Sequence, residues 1–331
     1  MKSRRLGWLV IAGCAVACGL ASLALLRAQS NSISIQGLTN REKRLQVSTA
    51  TGGVYRIYTA SNLPAAWSPL VTLSGAPASL VHTDSAAPYL PSRFYESAAL
   101  NGTNDLTGDH LSTTNGDVVI HPLYHASFVM SWNGKIIYND PDDAAAYEST
   151  YAGLPKADLI LISHSHSDHL STNKIDAVRG TNAIIITPQG VYTNLTAPQR
   201  AITTVLGYGA STNVLGLTVE AVPAYNGNHN PPGFGNGYVL TVGGRRIYIS
   251  GDTGNQPEVR ALPNIDVAFL CMNTPFTMSA LEATNAVRAM RPKIVYPYHY
   301  RNSDNITTNA ATFKQWLGQD LGIEVRLRKW Y

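Results

Sequence analysis

The residues with the clearest capacity for chemistry lie in one short stretch, where three histidines and an aspartate fall within six positions. They are His164, His166, Asp168 and His169. They follow the apolar run 157–162, which is too short and too rich in β-branched residues for a helix and is typical of a buried strand. Imidazole nitrogens and carboxylate oxygens are the ligands that zinc and similar divalent metals take. A solvated, serine-rich turn is the alternative, but four ligand-type residues at this spacing favour a metal site.

The spacing within this stretch predicts two metals rather than one. Residues two apart in extended backbone point to the same side, so His164 and His166 share a face. Asp168 and His169 lie beyond the turn and can approach a neighbouring point from another direction. The pattern therefore predicts one metal between the first pair and a second metal between the second pair.

Three further ligand-type residues lie later in the chain, after apolar runs. Asp252 follows the run 247–250 in a glycine-rich turn, where glycine lets backbone segments approach closely. His299 ends another apolar run, and His229 lies in a loop rich in Gly, Pro and Asn. Alone, Asp252 could cap a turn and His299 could be a core histidine. Together with the central stretch they supply the ligands that two metals need.

The elements that must position these residues change in type along residues 111–331. Hairpin patterns come first, and helix patterns alternate with strands after residue 172. Ser279 and Glu282 form a capping-box signature, which predicts a helix that extends to Met290. This order predicts an α/β (α+β) fold in which mixed sheets are covered by helices.

Residues 29–110 form a different kind of region. Short strand patterns are separated by turn residues, and no convincing helix pattern occurs. This spacing predicts a small all-β sandwich. Its role would be that of a spacer or a binding module for a glycan or protein partner.

The first 28 residues have the pattern of an export segment. Three basic residues precede the uncharged apolar run 6–26, as in a signal peptide. The run is also long enough to cross a bilayer, so an uncleaved membrane anchor is the alternative. The sequence therefore predicts an exported protein, periplasmic or extracellular. If the segment is not cleaved, it would anchor the protein in the membrane.

Charge and cysteine content narrow the function classes. Four of the 25 Lys and Arg residues lie in residues 1–28, which contain no acid, so 21 basic residues remain against 21 acidic ones. A neutral body gives no electrostatic support for nucleic-acid binding. Cys271 is the single cysteine after residue 28, so no intrachain disulfide can form there, and a small core residue is the favoured interpretation.

The order of these residues resembles that of a known family. The series HSHSDH at 164–169, a loop histidine, GDTG at 251–254 and a late histidine are similar to the metallo-β-lactamase-fold metal-dependent hydrolases. His125 and Asp140-Pro resemble the branch around ascorbate-6-phosphate lactonase and N-acyl-phosphatidylethanolamine phospholipase D. The resemblance covers residues 117–301. It implies an αββα sandwich with the metals at one edge of the paired sheets.

The resemblance also implies seven ligands, divided between two metals with one shared carboxylate. They are His164, His166 and His229 at the first metal, Asp168, His169 and His299 at the second, and Asp252 as the bridge. Zinc is the expected metal for such a ligand set, and manganese and iron are the alternatives.

The implied reaction is hydrolysis by a metal-bound hydroxide. Two metals can share a water and bring its pKa toward neutrality, and Asp168 would orient that water and accept its proton. The substrate would be a small or lipid-like phosphodiester, lactone or other ester or amide. His125, Phe276 and Met278 are expected to line its pocket. A structural hydrogen bond under the site is the alternative for His125, and packing on the core is the alternative for Phe276 and Met278. An iron-dependent redox enzyme on the same fold and a non-catalytic envelope binding protein are the alternatives.

Overall fold

The computed structural model of the chain describes residues 32–49, 53–75, 79–100, 106–143, 151–230, 233–301, 310–319 and 321–330. The predicted export segment 1–28 lies outside these ranges, so its cleavage and its anchoring role stay predictions. No helix within the described ranges is long and apolar enough to cross a membrane.

Within these ranges the chain forms twenty strands and six α-helices. The first ten strands are β1 (Ile33–Gly37), β2 (Lys43–Ser48), β3 (Val54–Ala60), β4 (Ser68–Ser74), β5 (Ser79–Asp84), β6 (Phe94–Leu100), β7 (Gly108–Thr113), β8 (Gly116–Tyr124), β9 (Ser127–Trp132) and β10 (Lys135–Asn139). The other ten are β11 (Ala157–Leu161), β12 (Arg179–Thr187), β13 (Thr203–Val205), β14 (Ser211–Val214), β15 (Leu217–Ala224), β16 (Gly235–Val242), β17 (Arg245–Ile249), β18 (Val267–Cys271), β19 (Ile294–Tyr298) and β20 (Glu324–Val325). The helices are α1 (Thr172–Val178), α2 (Gln189–Tyr192), α3 (Ala197–Arg200), α4 (Pro257–Arg260), α5 (Ala280–Met290) and α6 (Ala310–Leu317).

Two large sheets enclose the main core. One has the order β13-β12-β11-β10-β9-β8-β7-β4-β3-β6, and the other runs from β14 to β20 in chain order. In this core the rings of Phe128 and Phe269 stack with their centroids 4.3 Å apart. The completely buried Trp330 packs edge-on against both rings. The apolar side chains of the strands therefore account for a sandwich of two sheets.

Helices cover the outer faces of this sandwich. Ile175 and Val178 of α1 pack with Ile160 and Ile185 of the first sheet in a second apolar cluster. On the other side, α5 packs against α4 and α6. Because both faces of the central strands are covered, strands such as β11 and β18 are almost continuously apolar. The predicted mixed α/β sandwich is confirmed.

The capping signature at α5 forms as the sequence predicts. Ser279 Oγ accepts the N–H of Glu282 at 3.2 Å, and Glu282 Oε2 accepts the N–H of Ser279 at 2.8 Å. These two bonds satisfy backbone donors that the first helical turn leaves open. The helix then ends after Met290, as predicted.

The strand directions gather the loops that carry the ligand-type residues. Strands β10 to β13 are parallel to one another, and so are β17 to β20. The carboxyl ends of parallel strands meet at one edge of their sheet, which is where open sheets usually bind ligands. Thus the segments that leave β11, β17 and β19 can converge.

The N-terminal strands form a smaller two-layer arrangement. One layer has the order β1-β2-β5, and the other contains β4, β3 and β6. Leu45, Val47, Tyr55, Ile57 and Leu80 are part of the core between them. The strand patterns seen in residues 29–110 are therefore present as a β-structured region.

This N-terminal region continues the first large sheet. Val71 and Thr72 of β4 pair with Asp109 and Gly108 of β7, and contacts group residues 31–331 into one compact unit. Gly108 has φ +142°, and a Cβ there would lie 2.0 Å from the carbonyl oxygen of Ile120, so this crossing requires glycine. The predicted boundary at residue 110 falls within β7, and a division into separate domains stays a prediction.

Candidate metal centre

A buried carboxylate holds the loop after β11. Asp140 follows β10 with φ +41° and is completely buried. Its Oδ1 accepts the N–H of Ser163 at 2.7 Å, and its Oδ2 accepts the hydroxyl of Ser163 at 2.7 Å. The same Oδ2 lies 2.9 Å from Nδ1 of His169. Because no water competes for these buried groups, Asp140 fixes where the loop begins and how the His169 ring faces.

Four side chains converge on a first point, which we call cluster one. They are His164, His166, His229 and Asp252. Nε2 of His164 lies 3.1 Å from Nδ1 of His166. Nε2 of His229 lies 3.1 Å from Oδ2 of Asp252, and Nε2 of His164 lies 3.9 Å from the same oxygen. The loop histidine His229 thus joins the central stretch at this point.

Four side chains converge on a second point, which we call cluster two. They are Asp168, His169, His299 and Asp252, and Asp252 also belongs to cluster one. Nε2 of His169 lies 3.1 Å from Nε2 of His299. Oδ1 of Asp252 lies 3.4 Å from Nε2 of His169 and 3.5 Å from Nε2 of His299. Oδ2 of Asp168 lies 3.8 Å from Nε2 of His169 and 3.5 Å from Nε2 of His299. One oxygen of Asp252 therefore faces each cluster.

His125 extends cluster two on the side of the cleft. Its Nε2 lies 3.1 Å from Oδ2 of Asp168, and its ring centroid lies 3.7 Å from that of His299. His125, Asp168 and His299 also form a group whose ligand atoms all lie within 4.8 Å of one another. His125 is thus close enough to orient the Asp168 carboxylate.

Both clusters fit divalent metal ions. Two ligands about 2.1 Å from a tetrahedral ion are about 3.4 Å apart, and the separations within the clusters range from 3.1 to 3.9 Å. The buried Oδ1 of Asp252 accepts no hydrogen bond within the described residues. Nδ1 of His229 lies 3.0 Å from Oδ1 of Asn226, which leaves Nε2 as the nitrogen for a ligand role.

The electrostatics of the clusters favour bound cations. Burial lowers the pKa of His164 well below its usual value, and the neighbouring His169 lowers it further, so this imidazole stays neutral. Burial opposes ionisation of Asp252, but His299 and His169 outweigh it and hold the pKa of its carboxyl well below its usual range. Burial also lowers the pKa of His169, yet Asp252, Asp168 and Asp140 raise it well above its ordinary value. The carboxylates of Asp140, Asp168 and Asp252 thus stabilise positive charge at the two clusters.

Two histidines of the site have an unusual backbone conformation. His125 and His299 have φ +55° and +47°, a region that non-glycine residues rarely adopt. The N–H of His299 donates to the carbonyl of His125 at 3.0 Å, and the N–H of His125 donates to the carbonyl of Trp330 at 3.2 Å. The C-terminal segment is therefore hydrogen-bonded to the strand ends that carry the site.

Gly251 lets the strand ends come close together. Its φ is +57°, and a Cβ there would lie 2.8 Å from the carbonyl oxygen of Asn236 and 3.1 Å from Cβ of Ser163. No other residue would fit without moving the loop that carries His164. This explains a glycine directly before Asp252.

A cleft of about 520 Å³ opens over the two clusters. His125 and Phe276 line it, and 41% of Phe276 is exposed; their contact with a substrate stays a prediction. Met278 does not line the cleft, because its side chain is completely buried in the main core, in agreement with the alternative of packing on the core. A second cavity of about 630 Å³ adjoins the cleft and shares Tyr124, His125, Ser167 and Asp168 with it.

All seven predicted ligand positions lie together, and their roles as ligands stay predictions. The sequence reasoning missed the residues behind them. Asp140 entered the sequence prediction only through the resemblance of the Asp140-Pro motif, without an assigned role, and Ser163 only as part of the serine-rich stretch. Arg301, which lines the cleft, gave no signal beyond its position two residues after His299. A charged or hydroxyl residue next to a ligand-type residue would have been the usable clue.

The geometry agrees with comparisons to known proteins. Residues 120–299, more than half of the chain, match the family model described as the β-lactamase superfamily domain. The chain belongs to this superfamily. A UPF0173 metal-dependent hydrolase from Thermococcus onnurineus is 31% identical over 214 residues, which cover 61% of this chain and 92% of that protein. The protein is thus a metal-dependent hydrolase of the metallo-β-lactamase fold.

Solved structures of similar proteins agree with this assignment. A protein of Parabacteroides distasonis described as a metal-dependent hydrolase shares 38% sequence identity and a TM-score of 0.60, covering 67% of this chain and 97% of that one. Igni18, a metallo hydrolase from Ignicoccus hospitalis, has 23% identity and a TM-score of 0.55 over 64% of this chain and 95% of its own. The second likeness concerns the fold alone. The lactonase and phospholipase branch stays a prediction.

Proposed function

We propose that this superfamily member is an exported hydrolase that uses two divalent metal ions to cleave a phosphodiester, a lactone or another ester or amide. Zinc is the metal proposed for both clusters, with manganese and iron as alternatives. Cluster one would hold the first ion through three histidines, and cluster two would hold the second through His169, His299 and Asp168. The substrate would be a small or lipid-like molecule, since the cleft has the volume of a small-molecule site.

The observation that carries this proposal is the position of Asp252. Its two oxygens face two different groups of imidazoles, 3.1 Å from His229 on one side and 3.4 Å from His169 on the other. A single bound ion would leave one of these oxygens buried without a cation. A carboxylate placed in this way is suited to bridge two ions.

Two bound divalent ions supply an acidified water and positive charge for the attacked oxygen. The chain supplies the proton path and the placement of the substrate. Asp168 has 45% of its side chain exposed to the cleft, and His125 and His299 contact its Oδ2. Its carboxylate can therefore accept a proton from a water in the cleft. The water oxygen forms a bond to phosphorus or to the acyl carbon, the bond to the leaving oxygen or nitrogen breaks, and the proton passes to the leaving atom.

Export is supported by the sequence pattern of residues 1–28. A metal site of histidines and carboxylates suits an oxidising compartment, because it contains no thiolate ligand. The N-terminal β-structured region would provide contacts to a glycan or a protein in that compartment.

The experiment that tests this function combines metal analysis with a substrate panel. Protein loaded with zinc, manganese or iron is expected to contain two ions per chain and to hydrolyse at least one of a phosphodiester, a lactone, an ester and an amide. Asp168→Asn should lower the metal content to about one ion and abolish turnover. Asp176→Asn is the matched control, because this exposed acid on α1 pairs only with Arg179 among the described residues.

Three outcomes would overturn parts of the proposal. Unchanged metal content in Asp168→Asn would remove this residue from the ligand set. Oxidative turnover with iron alone would favour the redox alternative. Metal-loaded protein that is inert on all four substrate classes would favour a binding protein.

A further inference from the structure

The loop that carries His229 is organised around one side-chain oxygen. Oδ1 of Asn226 accepts the backbone N–H of Asn228 at 2.8 Å and the backbone N–H of His229 at 3.0 Å. Because a backbone N–H group donates and never accepts, these two bonds identify this atom as the oxygen of the amide group. The orientation of the Asn226 side chain is therefore fixed by its own loop.

The same oxygen sets the tautomer of His229. Oδ1 of Asn226 lies 3.0 Å from Nδ1 of the imidazole, and an amide oxygen can only accept, so Nδ1 must carry the proton. The neutral ring then has its lone pair on Nε2, which lies 3.1 Å from Oδ2 of Asp252. A lone pair and a carboxylate oxygen at this distance attract each other only when positive charge lies between them. Asn226 thus orients His229 for an ion in cluster one.

The other end of the same amide group contacts the wall of the cleft. Nδ2 of Asn226 donates to the carbonyl of Phe276 at 3.0 Å, and Nδ2 of Asn228 donates to the carbonyl of Pro275 at 2.8 Å. Phe276 lines the cleft over the two clusters. One amide group therefore joins the loop that carries His229 to the loop that carries Phe276.

Both loops are closed turns with backbone hydrogen bonds of their own. After β18, the N–H groups of Phe276 and Thr277 donate to the carbonyl of Asn273 at 2.7 Å and 2.8 Å. In the other loop, the N–H groups of Asn226 and His229 each donate to the carbonyl of the other residue at 3.3 Å. Because each turn is closed within itself, the side chain of Asn226 is placed to transmit a shift of one turn to the other.

We infer that Asn226 is a positioning residue that couples ion binding in cluster one to the position of the cleft wall formed by Phe276. The oxygen of its amide group orients His229 toward the ion, and the nitrogen holds the turn 273–277. This inference rests on the proposed function, because it takes an ion in cluster one as given. It adds regulation to that function, since filling cluster one would also order one wall of the cleft.

Zinc calorimetry on the metal-free full chain tests the role of the amide oxygen. Wild type is expected to bind two ions. Asn226→Ala should weaken the binding of one ion about 10–100-fold, which is the usual cost of losing an outer-shell partner of a metal ligand. Asn226→Asp should restore this affinity, because a carboxylate also accepts the Nδ1 proton of His229. Binding of the other ion should stay nearly unchanged, which shows in the same sample that the variant is folded.

Hydrogen exchange of the segment 273–277 tests the role of the amide nitrogen. The N–H groups of Phe276 and Thr277 report on this turn, and their exchange should slow when zinc is added to wild type. Asn226→Asp should bind zinc as wild type does but lose this slowing, because a carboxylate cannot donate to the carbonyl of Phe276. Asn228→Ala removes the neighbouring side-chain bonds and leaves the amide group of Asn226 intact, so the slowing by zinc should persist.

Asn213→Ala is the matched control, because this exposed asparagine on β14 accepts the hydroxyl of Thr218 and belongs to neither turn. Equal zinc affinity in wild type, Asn226→Ala and Asn213→Ala would overturn the positioning role. Slowing by zinc that persists in Asn226→Asp would overturn the coupling. If both effects occur but no substrate is hydrolysed, the proposed function is wrong and the coupling stands. Failure of wild type to bind zinc would overturn both.

Discussion

Two buried clusters of charged side chains in this protein differ in how their charges are balanced. The first is the candidate metal centre, made of cluster one and cluster two. The second, which we call the seam cluster, lies where the N-terminal strands meet the C-terminal segment. Its members are Asp109, Tyr296, Glu324, Arg326 and Arg328.

The seam cluster is internally balanced. Oδ2 of Asp109 accepts the hydroxyl of Tyr296 at 2.7 Å and Nε–H of Arg328 at 2.8 Å. Oε1 of Glu324 accepts Nε–H of Arg326 at 2.8 Å. Two carboxylates thus meet two guanidiniums, which is the condition under which buried charge is tolerated.

The metal centre lacks this balance. Among the described residues, the ion-pair partners of Asp168 and Asp252 are imidazoles, and the buried Oδ1 of Asp252 accepts no hydrogen bond from them. The centre also opens to a cleft, whereas Asp109 is almost completely buried. The comparison indicates that a balanced buried cluster is tolerated within the fold without a ligand, whereas an unbalanced one beside a cleft indicates a site for a cation.

The substitution expected to have the largest effect is Asp252→Asn. It keeps the shape but removes the charge that both metal clusters share. Loss of an outer-shell partner costs about 10–100-fold in metal affinity or activity, so loss of this bridging residue should reduce kcat/KM by more than about 100-fold. Metal analysis and initial rates measure the effect.

The corresponding change in the seam cluster is Asp109→Asn. It leaves two buried arginines with one carboxylate, which should lower the free energy of unfolding by about 3–5 kcal/mol. Urea unfolding measures this loss. The metal content and kcat/KM of the folded fraction should match wild type. If Asp109→Asn instead removed metal and Asp252→Asn unfolded the protein, the contrast between the clusters would be wrong.

The smallest expected effect concerns His82, which is buried beside the seam cluster. Burial lowers its pKa to about 3, helped by the positive charge of Arg328 and opposed by Asp109 and Asp84. The unfolded chain therefore binds more protons than the folded chain as the pH falls below about 6.5, so the free energy of unfolding should decrease in that range. In metal-free protein, wild type should lose about 3 kcal/mol more than His82→Gln between pH 6.5 and pH 4. Identical pH dependence in the two proteins would show that His82 is not held neutral.

Much of the candidate site was readable from local patterns. An apolar run followed by His164 and His166 predicts a strand end and two imidazoles on one face, because strand periodicity and ligand chemistry are both local properties. Asp252 and His299 followed from the same rule. The resemblance of these motifs to a family, which the comparisons confirmed, then supplied the αββα arrangement.

Other features could not be read from local patterns, because they depend on contacts between distant segments. Met278 precedes a helix and looked like part of a pocket rim, yet packing between α5 and the sheet buries it. The pairing of Asp109 with Arg328 joins residues 219 positions apart. Nothing in either local sequence indicates this partner.

The sequence by itself determined the types of ligand, the strand ends that carry them and the absence of a net charge after residue 28. Only the tertiary structure decided that Asp252 faces both clusters, that Asp140 orients His169 and that Arg301 lines the cleft. The reason is physical. A strand's period and its apolar run fix where a side chain leaves the backbone, whereas the order and direction of strands in two facing sheets decide which side chains meet.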